Sequence, residues 1–418
     1  MAESPEQTAQ RNAAIKQQLA TVIALAEQYE RISTQNAGKT GIEETKQVTS
    51  AHTALCAETQ KLLRTVKGPL DSVWSHIENV ANTSAVRAVM EMGVFEALPN
   101  DCTPMKASDL AEKLKVEKDL LVRLMRMASV IGPFQETGPE EFAHTPYSLI
   151  YLVPEINGFF KCLVEEYMPA ELKLYEFFRL NGWNSPVSAT NNPYTFTHRT
   201  EGKSMWEYMA QFPERLKNFN YTMVAQNNAT FWTVSLFPFY EELSKYETTD
   251  GTPLVVDVGG GKGHVSRQIR QLCKDLKGRV ILQDRREALS DVIDGLENVE
   301  LMEYDFFTPQ PVKGAHIYYI RRCLHDWPDA ACVKILKNIA SAMRPGDRRS
   351  RIVIAECILP DVGTDVESCW MDITMMTLTG RQRTRSQWIR LLEEAGLQAG
   401  KFYTAPGTNY GAFEAWLP

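Results

Sequence analysis

The chain has 418 residues, 44% hydrophobic and 23% charged, with a formal net charge of −7. This is the balance of an ordinary globular protein with room for two or three domains, and the acidic excess argues against nucleic acid as the main partner. No apolar stretch reaches the ~20 residues of a membrane span. The opening MAESPEQTAQ lacks the basic start and apolar core of a secretory signal, and the eight cysteines form no C-x-x-C pair. A cytoplasmic protein with reduced thiols, no membrane contact and no bound metal is expected.

Residues 1–70 are rich in Gln, Ala, Thr, Glu and Lys. Within them Ile15, Leu19, Ile23, Leu25, Ala26 and Tyr29 recur at helical spacing, which predicts a helix over 13–33 packed on the body or on a partner subunit. Residues 34–45 are polar and read as loop. Residues 84–98, 109–114 and 117–131 have amphipathic helical spacing, and Ser108 is placed as an N-cap for the second of these. A hairpin over 134–145 turns at Gly138-Pro139. Three helices and a two-strand wing make a winged-helix pattern. The third helix carries only Arg123 and Arg126 as exposed bases, too few for a nucleic-acid surface. The apolar faces in the first 150 residues exceed what so small a module can bury alone, so a homodimer is expected.

Residues 155–245 read as helical and are unusually aromatic, from Phe159 to Trp232. Most of these rings are core, and some are available to a flat ligand. From 254 onward strands and helices alternate: 254–258, 265–276, 279–283, 286–294, 299–304, 315–320, 328–343, 351–357, 365–379, 384–395, 398–403 and 411–416. This is the pattern of a doubly wound, mainly parallel sheet, with the last two segments as an antiparallel edge.

The first of these strands runs as Leu-Val-Val-Asp-Val into Gly-Gly-Gly-Lys-Gly at 254–263. Glycines let the backbone turn tightly and approach a ligand closely. Asp257 lies inside the strand, where a carboxylate needs a partner, and a cationic ligand would serve. Asp284 ends the second strand, placed for a ribose diol, and Asp305 follows the third. The dinucleotide pattern G-x-G-x-x-G fails, because its last glycine falls on His264 counted from Gly259 and on Ser266 counted from Gly261. No Lys-Ser/Thr pair closes the loop as in a phosphate-binding loop. Three acids and a glycine turn without a phosphate site suit S-adenosylmethionine, whose sulfonium is a cation.

His325 follows a strand and precedes a helix opened by Trp327-Pro328-Asp329, so it lies at the sheet edge where such folds bind ligands. Glu356 ends the next strand, where a carboxylate can fix the imidazole tautomer and stabilise its charged form.

With these residues in view, positions 84–418 resemble the caffeic-acid type of S-adenosylmethionine-dependent O-methyltransferase, in its fungal natural-product branch. The motifs are V-D-V-G-G-G-x-G at 256–263, L-H-D-W at 324–327, A-E-C-I-L at 355–359 and R-T-x-x-x-W at 383–388. The resemblance implies a class I methyltransferase fold, an α/β Rossmann-like sheet, preceded by a winged-helix-like dimerisation domain. It divides the chain into an N-terminal helical extension (1–70), the dimerisation domain (71–153), a helical linker and substrate-pocket region (154–250) and the catalytic domain (251–418). It implies His325 as general base, Glu356 as a carboxylate bracketing it, and an aromatic small molecule as acceptor. Asp257, Gly259 and Gly261 take the place of the glycine-loop cofactor contacts, Asp284 that of the ribose ligand, and Asp305 and Phe306 those of the adenine contacts. Arg321 replaces a lysine near the cofactor. Phe219, Met223 and Met375 match substrate-pocket positions, and Asp372 is counted with them. One departure stands out: the family's second bracketing glutamate aligns with Gln382. An amide orients an imidazole but adds no charge, so His325 is expected to be a weaker base, with Asp326 or Asp372 as compensation. An N-methyltransferase on the same scaffold is the alternative, since the fold does not dictate the acceptor atom.

Overall fold

The computed structural model describes residues 4–39, 41–290, 292–405 and 408–418. Contacts gather the chain into two compact units, one of Met1–Ala20, Gln60–Tyr175 and Tyr194–Ala229, the other of Thr21–Thr59, Glu176–Pro193 and Thr230–Pro418. Among the described residues no helix is long and apolar enough to cross a membrane.

The first unit is built on the expected helices. Ala107–Leu114 and Lys118–Val130 bury Leu110, Leu121, Met125 and Ala128 against Val86, Val89, Phe95, Phe134 and Phe142. Each fully buried side chain of this kind contributes roughly 1.5–3 kcal/mol. The wing is strand β2 (Gln135–Gly138) paired antiparallel with β3 (Glu141–Ala143). A third strand, β1 (Met105–Lys106), pairs with β3. Two residues are too few to show a period in sequence, so β1 was invisible there. Ser108 is not the cap expected. The helix begins at Ala107, the capping position is Lys106, and the Ser108 hydroxyl turns to Asp109. The N-terminal segment is more helical than its sequence suggested. One helix spans Pro5–Gln35 and the next Ile42–Glu91, so the loop expected over 34–45 shrinks to the residues between them. The second helix kinks where Gly68 takes φ 71°, a left-handed value natural to glycine, before Pro69.

The second unit carries an eight-stranded sheet. Its strands are β4 (Pro253–Val258), β5 (Arg279–Asp284), β6 (Val299–Glu303), β7 (Ile317–Arg321), β8 (Arg351–Leu359), β9 (Arg383–Thr384), β10 (Gln398–Thr404) and β11 (Tyr410–Trp416). The order is β10-β11-β8-β7-β4-β5-β6, with β9 beside β8. Strands β4 to β8 run parallel, and β11 and β10 add the antiparallel edge. Alternate residues feed opposite cores. Val256, Val258, Ile320 and Ile354 face the helices Asp329–Ala340 and Arg385–Glu394 through Ile335, Leu336, Trp388 and Leu392. Val255, Tyr319 and Val353 face Val265, Ile269, Phe237 and Phe239. The central strands are therefore apolar on both sides, which is why they read as continuous runs. The helix expected over 286–294 ends at Leu289, and Asp291 lies outside the described residues.

Candidate active site

The carboxyl ends of β4, β5, β7 and β8 share one edge of the sheet, and two groups of side chains meet there. The first surrounds the glycine turn. Gly259 and Gly260 donate backbone N–H bonds to Gln283, drawing the loop against β5. Gly259 and Gly261 have φ of 72° and 58°. A Cβ on Gly259 would meet Cys323 Sγ at 2.9 Å, while the same position on Gly261 faces open space. Asp284 holds this loop: Oδ2 accepts from Gly261 N at 2.8 Å and Oδ1 from Arg285 N at 2.7 Å. A carboxylate has about four acceptor sites, so both oxygens keep capacity for a ligand.

Asp257 is buried at the base of the loop with Ser266 Oγ 2.5 Å away. The partner that the sequence argument demanded is thus supplied in part from within the chain. Burial still pushes Asp257 up to about 6, against the Ser266 bond and the Arg321 charge. Arg321 is held by Thr230 and Thr233, with Thr230 Oγ1 at 2.8 Å. Asp305 caps the turn after β6, accepting from Phe307 N at 2.9 Å, and Phe306 packs edge-on to Trp327.

The second group is built on the turn after β7. Arg322 takes φ 52°, and a short helical turn, Leu324–Asp326, carries His325. Glu356 Oε1 accepts three backbone N–H bonds from that turn, from Cys323 and Leu324 at 3.0 Å and from His325 at 3.4 Å. The carboxylate therefore does more than bracket the imidazole: it fixes the backbone that presents it. Its other oxygen lies 3.4 Å from His325 Nδ1, and Gln382 Nε2 lies 3.0 Å from the same nitrogen. Asp326 Oδ1 lies 3.5 Å from Nε2. Glu356 Oε2 and Gln382 Oε1 are buried and otherwise without a bond. An Nδ1–H answers the first of these. A half-turn of the Gln382 amide, which exchanges its nitrogen and oxygen, offers the same proton a second acceptor. Nε2 is then left with a lone pair.

From the other side the Gly380–Gln382 loop clamps the histidine. His325 O accepts from Arg381 N at 2.8 Å, and a Cβ on Gly380 would fall 2.2 Å from that oxygen, so only glycine permits the approach. Asp372 accepts from the Gln382 backbone at 2.6 Å, which makes it a support for Gln382. Arg383 is buried, donates to Leu324 O and Trp327 O, pairs with Asp329 and lies over the Trp388 ring. The R-T-x-x-x-W motif is thus the clamp on the histidine loop.

Burial, helped by the Arg322 charge, pushes His325 down to about 3, with Gln382 pulling the other way. The imidazole is neutral at physiological pH. Burial lifts Glu356 to about 7, against the charge of Arg322 and the turn's N–H groups. Burial and Glu356 together raise Asp326, although its side chain is 36% exposed and solvent tempers the rise.

His325 opens on a cavity of about 540 Å³, counting space open to solvent. Gln382, Arg322, Met371, Tyr410 and Asn409 line it together with Thr49 and Thr53 of the Ile42–Glu91 helix. Met375, the expected pocket residue, is buried, and Met371 one turn earlier faces the cavity. Phe219 and Met223 stand in the first unit on the Pro213–Thr230 helix, Phe219 edge-on to Trp206 and Met223 exposed. Among the described residues no three His, Cys, Asp or Glu side chains converge as a metal site requires.

Sequence reasoning missed Thr49, Thr53, Arg322 and the Gly380 contact. The threonines sit one turn apart on a helix, a spacing that signals a shared face and no target.

Comparison with known proteins gives the family. Residues 183–398 match the model of an O-methyltransferase domain, and 74–154 that of an O-methyltransferase dimerisation domain. The chain is 46% identical to the O-methyltransferase kntB of Aspergillus niger, over 88% of this chain and 89% of that one. It is 45% identical to the O-methyltransferase opaF of Aspergillus ustus, over 87% and 86%. The crystal structure of OxaC in complex with SAH and oxaline superposes with a TM-score of 0.82 at 32% identity, covering 98% of this chain and all of that one.

Proposed function

The chain belongs to the O-methyltransferase family of fungal secondary metabolism, and we propose that it methylates a phenolic or N-hydroxy oxygen of a bulky aromatic natural product, with His325 as general base and no metal. Family membership makes it an S-adenosylmethionine-dependent enzyme. One observation carries the reading: His325 faces the cavity from a turn fixed by Glu356, its Nδ1 bracketed by Glu356 and Gln382, which leaves Nε2 as acceptor.

The residues fit the cofactor. Gly261 leaves open the space a side chain would fill, Asp284 keeps acceptor capacity for a ribose, and Asp257 supplies negative charge beneath the loop. Asp305 and Phe306 are the proposed adenine contacts, and Arg321 is a further proposed cofactor contact. Bound S-adenosylmethionine supplies an electrophilic methyl on a sulfonium. The chain's own work is to align the acceptor oxygen with that methyl and to remove its proton. Neutral His325 takes the proton at Nε2, and Glu356 and Asp326 hold the charge that results. A base pushed as low as about 3 suits an acidic hydroxyl, which is why phenols and N-hydroxy groups are the proposed acceptors.

Asp372 and Met375 remain proposed substrate contacts, and Thr49 and Thr53 of the cavity wall join them. The proposed working form is a cytosolic homodimer, organised as extension, dimerisation domain, pocket region and catalytic domain over 1–70, 71–153, 154–250 and 251–418. The O-methyltransferase names of the relatives favour oxygen over nitrogen as acceptor.

Incubation with trideuteromethyl S-adenosylmethionine, a chelator and a panel of phenolic and N-hydroxy natural products tests this. The product is expected to carry an O–CD3 group by NMR. An N–CD3 product, or turnover abolished by the chelator and restored by metal, overturns the proposal.

A further inference from the structure

We propose that Arg322 is a catalytic residue beside His325: its guanidinium holds the acceptor oxygen as that oxygen loses its proton, and so sets which hydroxyls are acidic enough to be methylated. The inference rests on the O-methyl transfer proposed above and adds a second group to it.

Arg322 opens the turn that carries His325, and both side chains line the same cavity. Among the described residues of that lining Arg322 is the one Lys or Arg. Its backbone is left-handed, with φ 52°, and its N–H is tied to Ala355 O at 3.0 Å. Glycine adopts this conformation freely, whereas a side chain there is disfavoured. A disfavoured backbone kept at a ligand cavity points to work done by the side chain. Thr230 Oγ1 lies 3.4 Å from Nη1 and steadies the group. A guanidinium has five N–H donors, enough to keep such ties and also meet an oxyanion.

The charge decides the role. Of the charges that act on His325, that of Arg322 is the largest, and it makes the imidazole harder to protonate. Taken alone, a cation there weakens the base. The same cation stabilises the anion that the acceptor becomes, and a charge-assisted hydrogen bond is roughly twice as strong as a neutral one. The other charged side chains about the base and the cavity are acids: Asp326 on the same turn, Glu356 on β8, and Asp365 and Glu367 at the head of the helix Val366–Met376. Tyr410 of β11 donates its hydroxyl to Glu367 at 2.7 Å. Acids repel an oxyanion, so holding it falls to Arg322. The acceptor's O–H bond breaks as the proton passes to His325 Nε2. The oxygen's electron pair forms the new bond to the methyl carbon, and the carbon–sulfur bond returns its pair to sulfur.

Steady-state kinetics on a phenol of the panel above and its fluoro and nitro analogues, with hydroxyl pKa from about 10 to below the assay pH, tests this. Arg322→Met and Arg322→Lys both keep an unbranched side chain, and circular dichroism checks the fold. Arg322→Met should lower kcat about 10²-fold on the least acidic phenol, the scale of one lost oxyanion donor. The loss should shrink as acceptor acidity rises and vanish in kcat for an acceptor already ionised, where KM rises instead. Arg322→Lys keeps the charge and should recover part of the loss. A Met variant as fast as wild type or faster on the least acidic phenol overturns the inference, since Arg322 then does no more than weaken His325. A loss equal across the series, the mark of a structural role, overturns it too, as does no recovery in Arg322→Lys. A wild-type enzyme that forms no O-methyl product overturns the underlying reading and this inference with it, whereas O-methyl product with a flat series overturns this inference alone.

Discussion

Replacing Gln382 by Glu adds a negative charge at the side chain that lies 3.0 Å from His325 Nδ1. Two unit charges about 4 Å apart interact by roughly 4 kcal/mol at an effective dielectric of about 20, equal to about three pKa units, and this is the ceiling. Gln382 is buried beside Glu356, so desolvation and repulsion take back part of the gain. A rise of at least about one unit from its present value near 3 is expected, or ~1.4 kcal/mol. The acidic limb of the pH–rate profile then moves to higher pH, and the stronger base extends turnover to less acidic hydroxyls. An acceptor already ionised at the assay pH should show no such gain. Stability follows the same group. A histidine whose pKa is depressed on folding contributes stability that is present above its ordinary 6.5 and lost as pH falls toward about 3. Gln382→Glu should shorten that loss. Histidine titration by NMR with parallel pH–rate profiles reads both. An unchanged or lowered His325 pKa in the variant refutes the electrostatic reasoning.

Asp284→Ala should weaken S-adenosylmethionine binding at least tenfold by calorimetry, since both the proposed ribose acceptor and the tie to Gly261 are lost; wild-type affinity would remove Asp284 from the cofactor site. Arg383→Leu strips Leu324 O, Trp327 O and Asp329 of their buried partner and should cost about 3 kcal/mol in denaturant unfolding, where a loss under 1 kcal/mol would contradict the clamp. Thr53→Leu adds bulk to the cavity wall and should raise the acceptor KM severalfold while leaving cofactor affinity unchanged; an unaltered KM would place the helix outside the acceptor path.

Much of the fold was legible because its signals are local. β4, β5, β7 and β8 are buried on both faces and read as apolar runs, and the glycine turn announces the loop between strand and helix. His325 and Glu356 were found because the first follows an apolar strand and the second lies in the next one. The rest depends on contacts between distant segments. Asp284 ties Gly261 and Arg285, Glu356 staples three N–H groups, and Arg383 reaches Leu324, Trp327 and Asp329 across the loop. None of these is written in the spacing of the residues involved. Thr49 and Thr53 reach the cavity from a helix that carries no motif at all. Ser108 shows the opposite failure: a good capping residue lost its role because the helix began one residue earlier.

The central claim is that His325 takes the acceptor's proton. The most direct measurement is single-turnover methyl transfer by His325→Ala on an accepted phenol at neutral pH, with cofactor affinity measured on the same sample. General-base help is typically worth ~10²–10⁴-fold, so the rate should fall by about that factor while S-adenosylmethionine binds as before. Turnover within threefold of wild type, with binding intact, would contradict the account and leave alignment alone to carry the reaction.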